Sequence, residues 1–231
     1  GFCQRALADT PLAAGLPYGL ELMEDDAQVR HEAVADFWRR EVSGKQGDPD
    51  LAAWLAVRYD TPSAWAELLK PVQAKPLSQQ VWPDDLDEPP QPLRPRLDAA
   101  FAAALQAWAK DRDKAIETLQ SKLDGTLNGR YYTDDAIDEG AAGWDAWFAT
   151  ADPTSPLVRG DRLKKPRLYS AAVLKARTNK GKITPRHAFF DAAQPLVEYR
   201  EAMEVQLERL RLRLLRRMVD ETLPQLRQKE R

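Results

Sequence analysis

Between Pro95 and Gly125 the residues Leu97, Phe101, Leu105, Trp108, Arg112, Ile116, Leu119 and Leu123 recur three or four positions apart. That spacing gathers side chains on one face of an α-helix, whereas a strand would need alternation at every second residue. At 1.5 Å per residue the stretch predicts a helix roughly 40 Å long, closed at Asp124-Gly125. Elsewhere, alternating Val, Ile, Thr and aromatic runs bounded by turn residues are nearly absent, while Ala, Leu, Glu, Arg and Gln are plentiful. The expected fold class is therefore all-α.

Caps and prolines divide the rest of the chain. Gly1 to Leu7 reads as a helix end or connection, closed by the breakers Thr10-Pro11 and Gly15-x-Pro17. Asp25 and Asp26 open a helix carrying Val29, Ala33, Val34, Phe37 and Trp38 to about Ser43-Gly44. Asp48-Pro49 opens a short helix with Leu51, Trp54, Leu55 and Val57, and Thr61-Pro62 opens another with Trp65, Leu68 and Leu69 that should stop before Pro71. Residues 71–95 hold seven prolines and the acids Asp84, Asp85, Asp87 and Glu88, so a surface linker is expected there. Thr133 caps a helix with Ile137, Trp144, Trp147 and Phe148, ending at the Pro153 and Pro156 breaks. The last helix starts near Pro195 and carries Met203, Leu207, Leu210, Leu214 and Met218, with Pro224 as a kink or stop. Together these suggest a single helical domain over residues 1–231, a bundle whose long antiparallel helices form a projecting arm.

Charge is divided along the chain. Residues 1–158 carry 27 acids against 15 Lys and Arg, although the net charge of the whole is only -2. Within a basic, loop-rich segment at about 159–187 stand Lys164, Lys165, Arg167, Lys175, Arg177, Lys180, Lys182 and Arg186, with no acid between Leu163 and Arg186. Such asymmetry points to a polyanion partner, and these eight are the candidate nucleic-acid-binding residues. Pro166, Thr178, Asn179, Gly181 and Pro185 favour a loop or broken helix that sets hydroxyls and backbone donors beside the cations. Tyr169 is the sole aromatic of the run, too little for the stacking platform of a single-strand binder, so duplex backbone contact fits better. The alternative is a solvated face, or one that docks on acidic surfaces of partner proteins. No apolar run approaches the roughly 20 residues of a membrane span, and neither a signal-peptide pattern nor more than one cysteine is present. A cytoplasmic chain without membrane association is the expectation.

Other candidates carry blander readings. Asp134-Asp135-x-x-Asp138 matches the acidic pattern of Mg-dependent all-α diphosphate synthases, a remote alternative, but acids at a helix start are favoured by the macrodipole alone. Asp84, Asp85, Asp87 and Glu88 read as hydrated loop acids, and neither His31 nor His187 has a ligand cluster around it. Cys3 reads as a packing residue. Trp38, Trp54, Trp65, Trp108, Trp144 and Trp147 fall on apolar helix positions and read as core, with Trp82 the exception. Glu201, Glu204, Glu208 and the arginines from Arg209 to Arg217 read as a solvent-facing surface with i to i+4 pairs.

The opening Gly1-Phe2-Cys3-Gln4-Arg5 resembles the second half of the T-x-H-G-F-C motif of RecB-type superfamily 1 DNA helicases. Glu21-Leu22 with Glu24-Asp25-Asp26, the run Asp36 to Arg40, the run Lys175 to Lys182 and the C-terminal Leu-Arg helix are similar in kind and order to that family. The resemblance implies an insertion in the first motor domain, a helical arm touching duplex DNA, with the chain ends close in space. It implies a longer protein that uses ATP and Mg and has RecC-like and RecD-like partners. It also implies that the catalytic, cofactor and metal residues lie outside this stretch, because no G-x-x-x-x-G-K-[ST] loop occurs here.

Overall fold

The computed structural model describes residues 27–45, 47–75, 79–155 and 163–229. The expectations for Gly1 to Leu7, Cys3, the breakers up to Pro17, Glu21 to Asp26, Pro156 and the meeting of the chain ends fall outside the described residues. Seven α-helices are present among the described residues: α1 Ala27–Glu41, α2 Pro49–Val57, α3 Pro62–Ala74, α4 Leu93–Gln120, α5 Asp134–Ala149, α6 Ala171–Arg177 and α7 Ala188–Lys229. Two 3-10 turns, Asp84–Asp87 and Pro166–Tyr169, join them. Leu127 and Thr178 form an isolated antiparallel bridge, and the described residues contain no sheet. The fold is all-α.

The chain divides into two compact units. The first takes its described residues from the stretch ending at Asp48, from Tyr59–Leu86 and from Leu212 onward. In it α1 packs on α3 through an edge-on contact of Trp38 and Trp65, with ring centroids 4.7 Å apart. Val34, Phe37, Leu69, Leu86, Leu215 and Met218 are also buried in this unit. Thr61 caps α3 by accepting from the Ala64 N–H at 3.1 Å. The helix does not stop before Pro71, as its sequence suggests, but continues to Ala74. Proline removes one donor and crowds the carbonyl four residues back, yet only three residues follow it, and Arg30 holds that end by donating to Gln73 at 3.2 Å.

The C-terminal part of α7 belongs to the same unit, and it too passes through its proline, Pro224, without stopping. The expected i to i+4 pairing appears between Arg217 and Glu221 at 3.4 Å, but the arginines here also reach partners far along the chain. Arg217 pairs with Glu41 at 2.9 Å, Arg40 pairs with Glu221, and Arg213 donates to the Leu86 carbonyl. Within the expected linker, Leu86 is fully buried and anchors the Asp84–Asp87 turn.

The second unit comprises Pro49–Arg58 and Asp87–Arg211. Its centre is aromatic: Trp144 stacks on Trp147 at 5.3 Å, Trp108 meets Phe189 at 4.4 Å, and Phe101 meets Phe148 at 5.4 Å. The three indole N–H groups of this centre each have a partner, where a lone donor would cost about 1–3 kcal/mol. Trp108 donates to Asp145 at 2.8 Å, Trp144 to the Pro166 carbonyl at 3.1 Å and Trp147 to the Asp152 carbonyl at 3.2 Å. Helix α4 has about the expected length but lies earlier in the chain, starting at Leu93 and ending at Gln120 before Asp124-Gly125, and Asp111 interrupts it with φ -140° and ψ 34°. Leu105, on the same stripe, is 37% exposed. Helix α7 starts two turns before Pro195, because burial of Phe189 and Phe190 recruits Ala188 onward and the His187 Nδ1 accepts from the Phe189 N–H at 3.1 Å.

Candidate nucleic-acid interface

The described part of the basic segment, from Leu163 onward, starts against α5. Alanine at Gly140 would set its Cβ 2.7 Å from Tyr169 Cε2 and 3.0 Å from the Lys165 carbonyl, and at Gly143 2.6 Å from Pro166 Cγ. These two glycines let the Pro166–Tyr169 turn lie directly on the helix. The Tyr169 hydroxyl donates to the Ile137 carbonyl and the Tyr132 hydroxyl to the Leu168 carbonyl, each at 2.8 Å. Burial pushes the pKa of both phenols up, so they remain neutral donors.

The eight candidate cations do not share one environment. Lys165 pairs with Glu139 at 3.3 Å and Arg167 with Glu201 at 3.2 Å, so two of them already face carboxylates of the fold. Lys164, Lys175, Lys180, Lys182 and Arg186 are exposed and have no ion pair within 4 Å among the described residues. Arg177, the last residue of α6, is half-buried, with its guanidinium 3.8 Å from the centre of the Tyr131 ring.

The loop that follows α6 is pinned to the loop between α4 and α5. Around the Leu127 and Thr178 bridge, the Asn128 N–H donates to the Arg177 carbonyl and the Asn179 N–H to the Thr126 carbonyl, each at 2.9 Å. The Asn179 side-chain amide reaches the Gly125 carbonyl at 2.9 Å. Lys182 N–H then donates to the Asn179 carbonyl at 3.0 Å, closing a turn whose third residue, Gly181, has φ 80°. A positive φ there is the mark of a type II turn and favours glycine. Lys180 and Lys182 thus stand on a closed turn instead of a free loop.

Lys122 and Arg130 sit on the facing loop, and neither belongs to the basic segment that sequence reasoning singled out. Arg130 is exposed, and its guanidinium lies 6.0 Å from the same Tyr131 ring. The turn sequence Asn128-Gly129 beside Arg130, matching Asn179-Lys180-Gly181, is the signal that marks it. Asp124 is the acid of this region. Thr126 donates to it, with the backbone N–H at 3.0 Å, and with Lys122 and Lys182 nearby this holds the carboxyl below its ordinary pKa.

Among the described residues, no three His, Cys, Asp or Glu side chains converge as metal ligands would. Asp134 and Asp135 occupy the first turn of α5, where Thr133 caps by accepting from the Ala136 N–H at 3.2 Å. His31 is exposed, and His187 serves as the cap of α7. No helix among the described residues is long and apolar enough to cross a membrane. The ATP and Mg that the resemblance implies find no G-x-x-x-x-G-K-[ST] loop in this sequence.

Fold and surface together define an all-α chain with cations displayed on two bridged loops. No family model matches it. The chain is similar to the RecBCD enzyme subunit RecB of Escherichia coli (strain K12), 27% identical over 205 residues that cover 85% of this chain and 16% of that protein. It spans about 16% of the length of that curated relative, and the relationship supported is a RecB-like one.

Proposed function

We propose that this chain is a helical arm of a RecB-like DNA-repair helicase-nuclease and contacts duplex DNA through its phosphates without reading bases. ATP hydrolysis, Mg-dependent strand cleavage and assembly with RecC-like and RecD-like subunits belong, on this reading, to the longer cytoplasmic protein. The observation that carries it is the set of exposed cations Lys164, Lys175, Lys180, Lys182 and Arg186, none with a carboxylate within 4 Å among the described residues. Unpaired surface cations contribute little to folding but release condensed counterions when they meet phosphate. Similarity to RecB supports the choice of polyanion.

Fluorescence anisotropy with a labelled duplex tests this. Five phosphate contacts give a log-log salt slope of about -4.5, which weakens binding on the order of 500-fold between 50 and 200 mM salt. Charge reversal at Lys180 and Lys182 should abolish most of the affinity. An affinity indifferent to salt would sink the proposal. A protein-docking surface would instead show itself if charge reversal broke association with partner subunits and left duplex binding intact.

A further inference from the structure

Resting on that reading and extending it, we infer that the phosphate-binding surface is a composite of residues 122–131 and 177–182, in which Arg130 makes direct contact and Asn179 and Tyr131 act as positioning residues. The two segments are distant in sequence but joined by backbone. Besides the Leu127 and Thr178 bridge, Asn179 reaches the 125–127 stretch three times: its N–H to the Thr126 carbonyl at 2.9 Å, and its side-chain amide to the Gly125 and Leu127 carbonyls at 2.9 and 3.4 Å. Thr126 and Leu127 are buried, so this junction is anchored from beneath.

Each segment then ends in a closed turn bearing cations. On one, Asn128 accepts from the Arg130 N–H through Oδ1 at 3.0 Å, and from the Tyr131 and Tyr132 N–H groups through its carbonyl at 2.9 and 3.1 Å. Arg130 projects from it, exposed and without an ion pair within 4 Å among the described residues. On the other, Lys180 and Lys182 flank Gly181. Tyr131 stands between, with Arg177 at 3.8 Å and Arg130 at 6.0 Å from its ring centre. A ring face attracts guanidinium groups, and two like charges converging on one ring are held where an outside anion can relieve their repulsion. Asp124 is the nearby acid, already engaged by Thr126, against Lys122, Arg130, Arg177, Lys180 and Lys182.

The same geometry favours a duplex over a single strand. Single-strand binders offer bare aromatic faces on which bases stack. Here Tyr131 is half-buried and Arg177 covers it. What remains exposed is cationic.

The experiment is duplex binding by the 231-residue chain across a salt series, for the unaltered chain, for Lys180→Ala with Lys182→Ala, and for four single variants. Arg130→Ala should lower affinity about eight-fold at 0.1 M salt and flatten the slope by about 0.9. Asn179→Ala should lower affinity at an unchanged slope, because it removes no charge. Tyr131→Phe should bind as the unaltered chain does, while Tyr131→Leu, which keeps apolar packing but loses the ring, should bind several-fold more weakly. Thermal melts of each variant confirm that the fold is retained. If the double lysine variant weakens binding but Arg130→Ala matches the unaltered chain in slope and affinity, the composite surface is wrong while the proposed function stands. Equal binding by Tyr131→Phe and Tyr131→Leu removes the positioning role of the ring. Salt-independent binding by the unaltered chain overturns both proposals at once.

Discussion

Replacing Gly140 by alanine sets two effects of opposite sign against each other, and the geometry decides which wins. In the middle of α5, alanine in place of glycine gains about 1 kcal/mol of helix propensity. The added Cβ would lie 2.7 Å from Tyr169 Cε2 and 3.0 Å from the Lys165 carbonyl oxygen, and backbone cannot swing away. Nor can the tyrosine retreat easily. Tyr169 is fully buried, its ring lies 5.8 Å from Trp108 and 6.1 Å from both Phe189 and Phe190, and its hydroxyl is tied to the Ile137 carbonyl at 2.8 Å. Overpacking a filled core costs about 1–3 kcal/mol, and a strained or broken buried hydrogen bond about 1–3 kcal/mol more. Taking the middle of each range and subtracting the propensity gain leaves a net loss of about 3 kcal/mol, or about 6–12 °C in Tm for a chain of this size. Gly143→Ala should cost less, because the atom it meets at 2.6 Å is Pro166 Cγ, which can move by a change of ring pucker. Thermal and urea melts of the two variants measure the difference. A Gly140→Ala chain that melts at or above the parent temperature would refute the account of how the Pro166–Tyr169 turn seats on α5.

Three smaller effects follow from the same contacts. Arg112 foremost, with Trp108 helping, holds the Asp145 carboxyl below its usual pKa. A depressed carboxylate contributes stability above its unfolded value, about 3.9, and loses it as pH falls through the lower folded value. Because the Asp145 side chain is 43% exposed, that contribution is about 1 kcal/mol or less. The urea midpoints of the unaltered chain and Asp145→Asn should therefore differ at pH 7 and draw together as pH falls below about 4; a constant gap contradicts the assignment. Thr133→Ala removes the α5 cap and should cost about 1 kcal/mol in chemical denaturation, with Thr133→Ser restoring most of it. Ile183→Ser, at a site 86% exposed, should shift stability by less than about 0.5 kcal/mol, and a larger loss would mean that Ile183 is covered.

What could be read from the sequence was local. Thr61 and Thr133 mark their helix starts because a cap needs only its own side chain and an N–H three residues on. The stripe through Trp144, Trp147 and Phe148 is buried as its period requires, and of Trp65, Leu68 and Leu69 the first and last are buried while Leu68 is 48% exposed. The errors lie where tertiary contact overrides a local rule. Pro71, Pro195 and Pro224 all sit inside helices because neighbouring residues are anchored elsewhere: Gln73 by Arg30, Phe189 and Phe190 in the aromatic centre, Leu223 and Leu226 by burial. Arg209, Arg213 and Arg217 repeat like an exposed face but reach Glu88, the Leu86 carbonyl and Glu41, partners more than a hundred positions away. Of the candidate surface, the run of cations was legible as composition. The pairing of Lys165 and Arg167 with Glu139 and Glu201, and the closeness of Arg130 to Arg177, were not, because each joins segments that no periodicity connects.

That distinction decides where binding energy should concentrate. For Lys165 or Arg167 to meet a phosphate, each must first leave or share a carboxylate, giving up about 0.2–1 kcal/mol of surface pairing. Lys180 and Lys182 surrender nothing of the kind. Their turn is already closed by Asn179, so the backbone entropy of ordering four residues, about 4–8 kcal/mol for a free loop, has been met by the fold before any ligand arrives. A cation on an ordered, unpaired turn delivers its counterion-release energy nearly undiminished, whereas a cation on a mobile tail spends much of it on ordering. The two bridged loops should therefore dominate affinity over the Lys164 to Arg167 stretch, even though the latter holds as dense a run of positive charge.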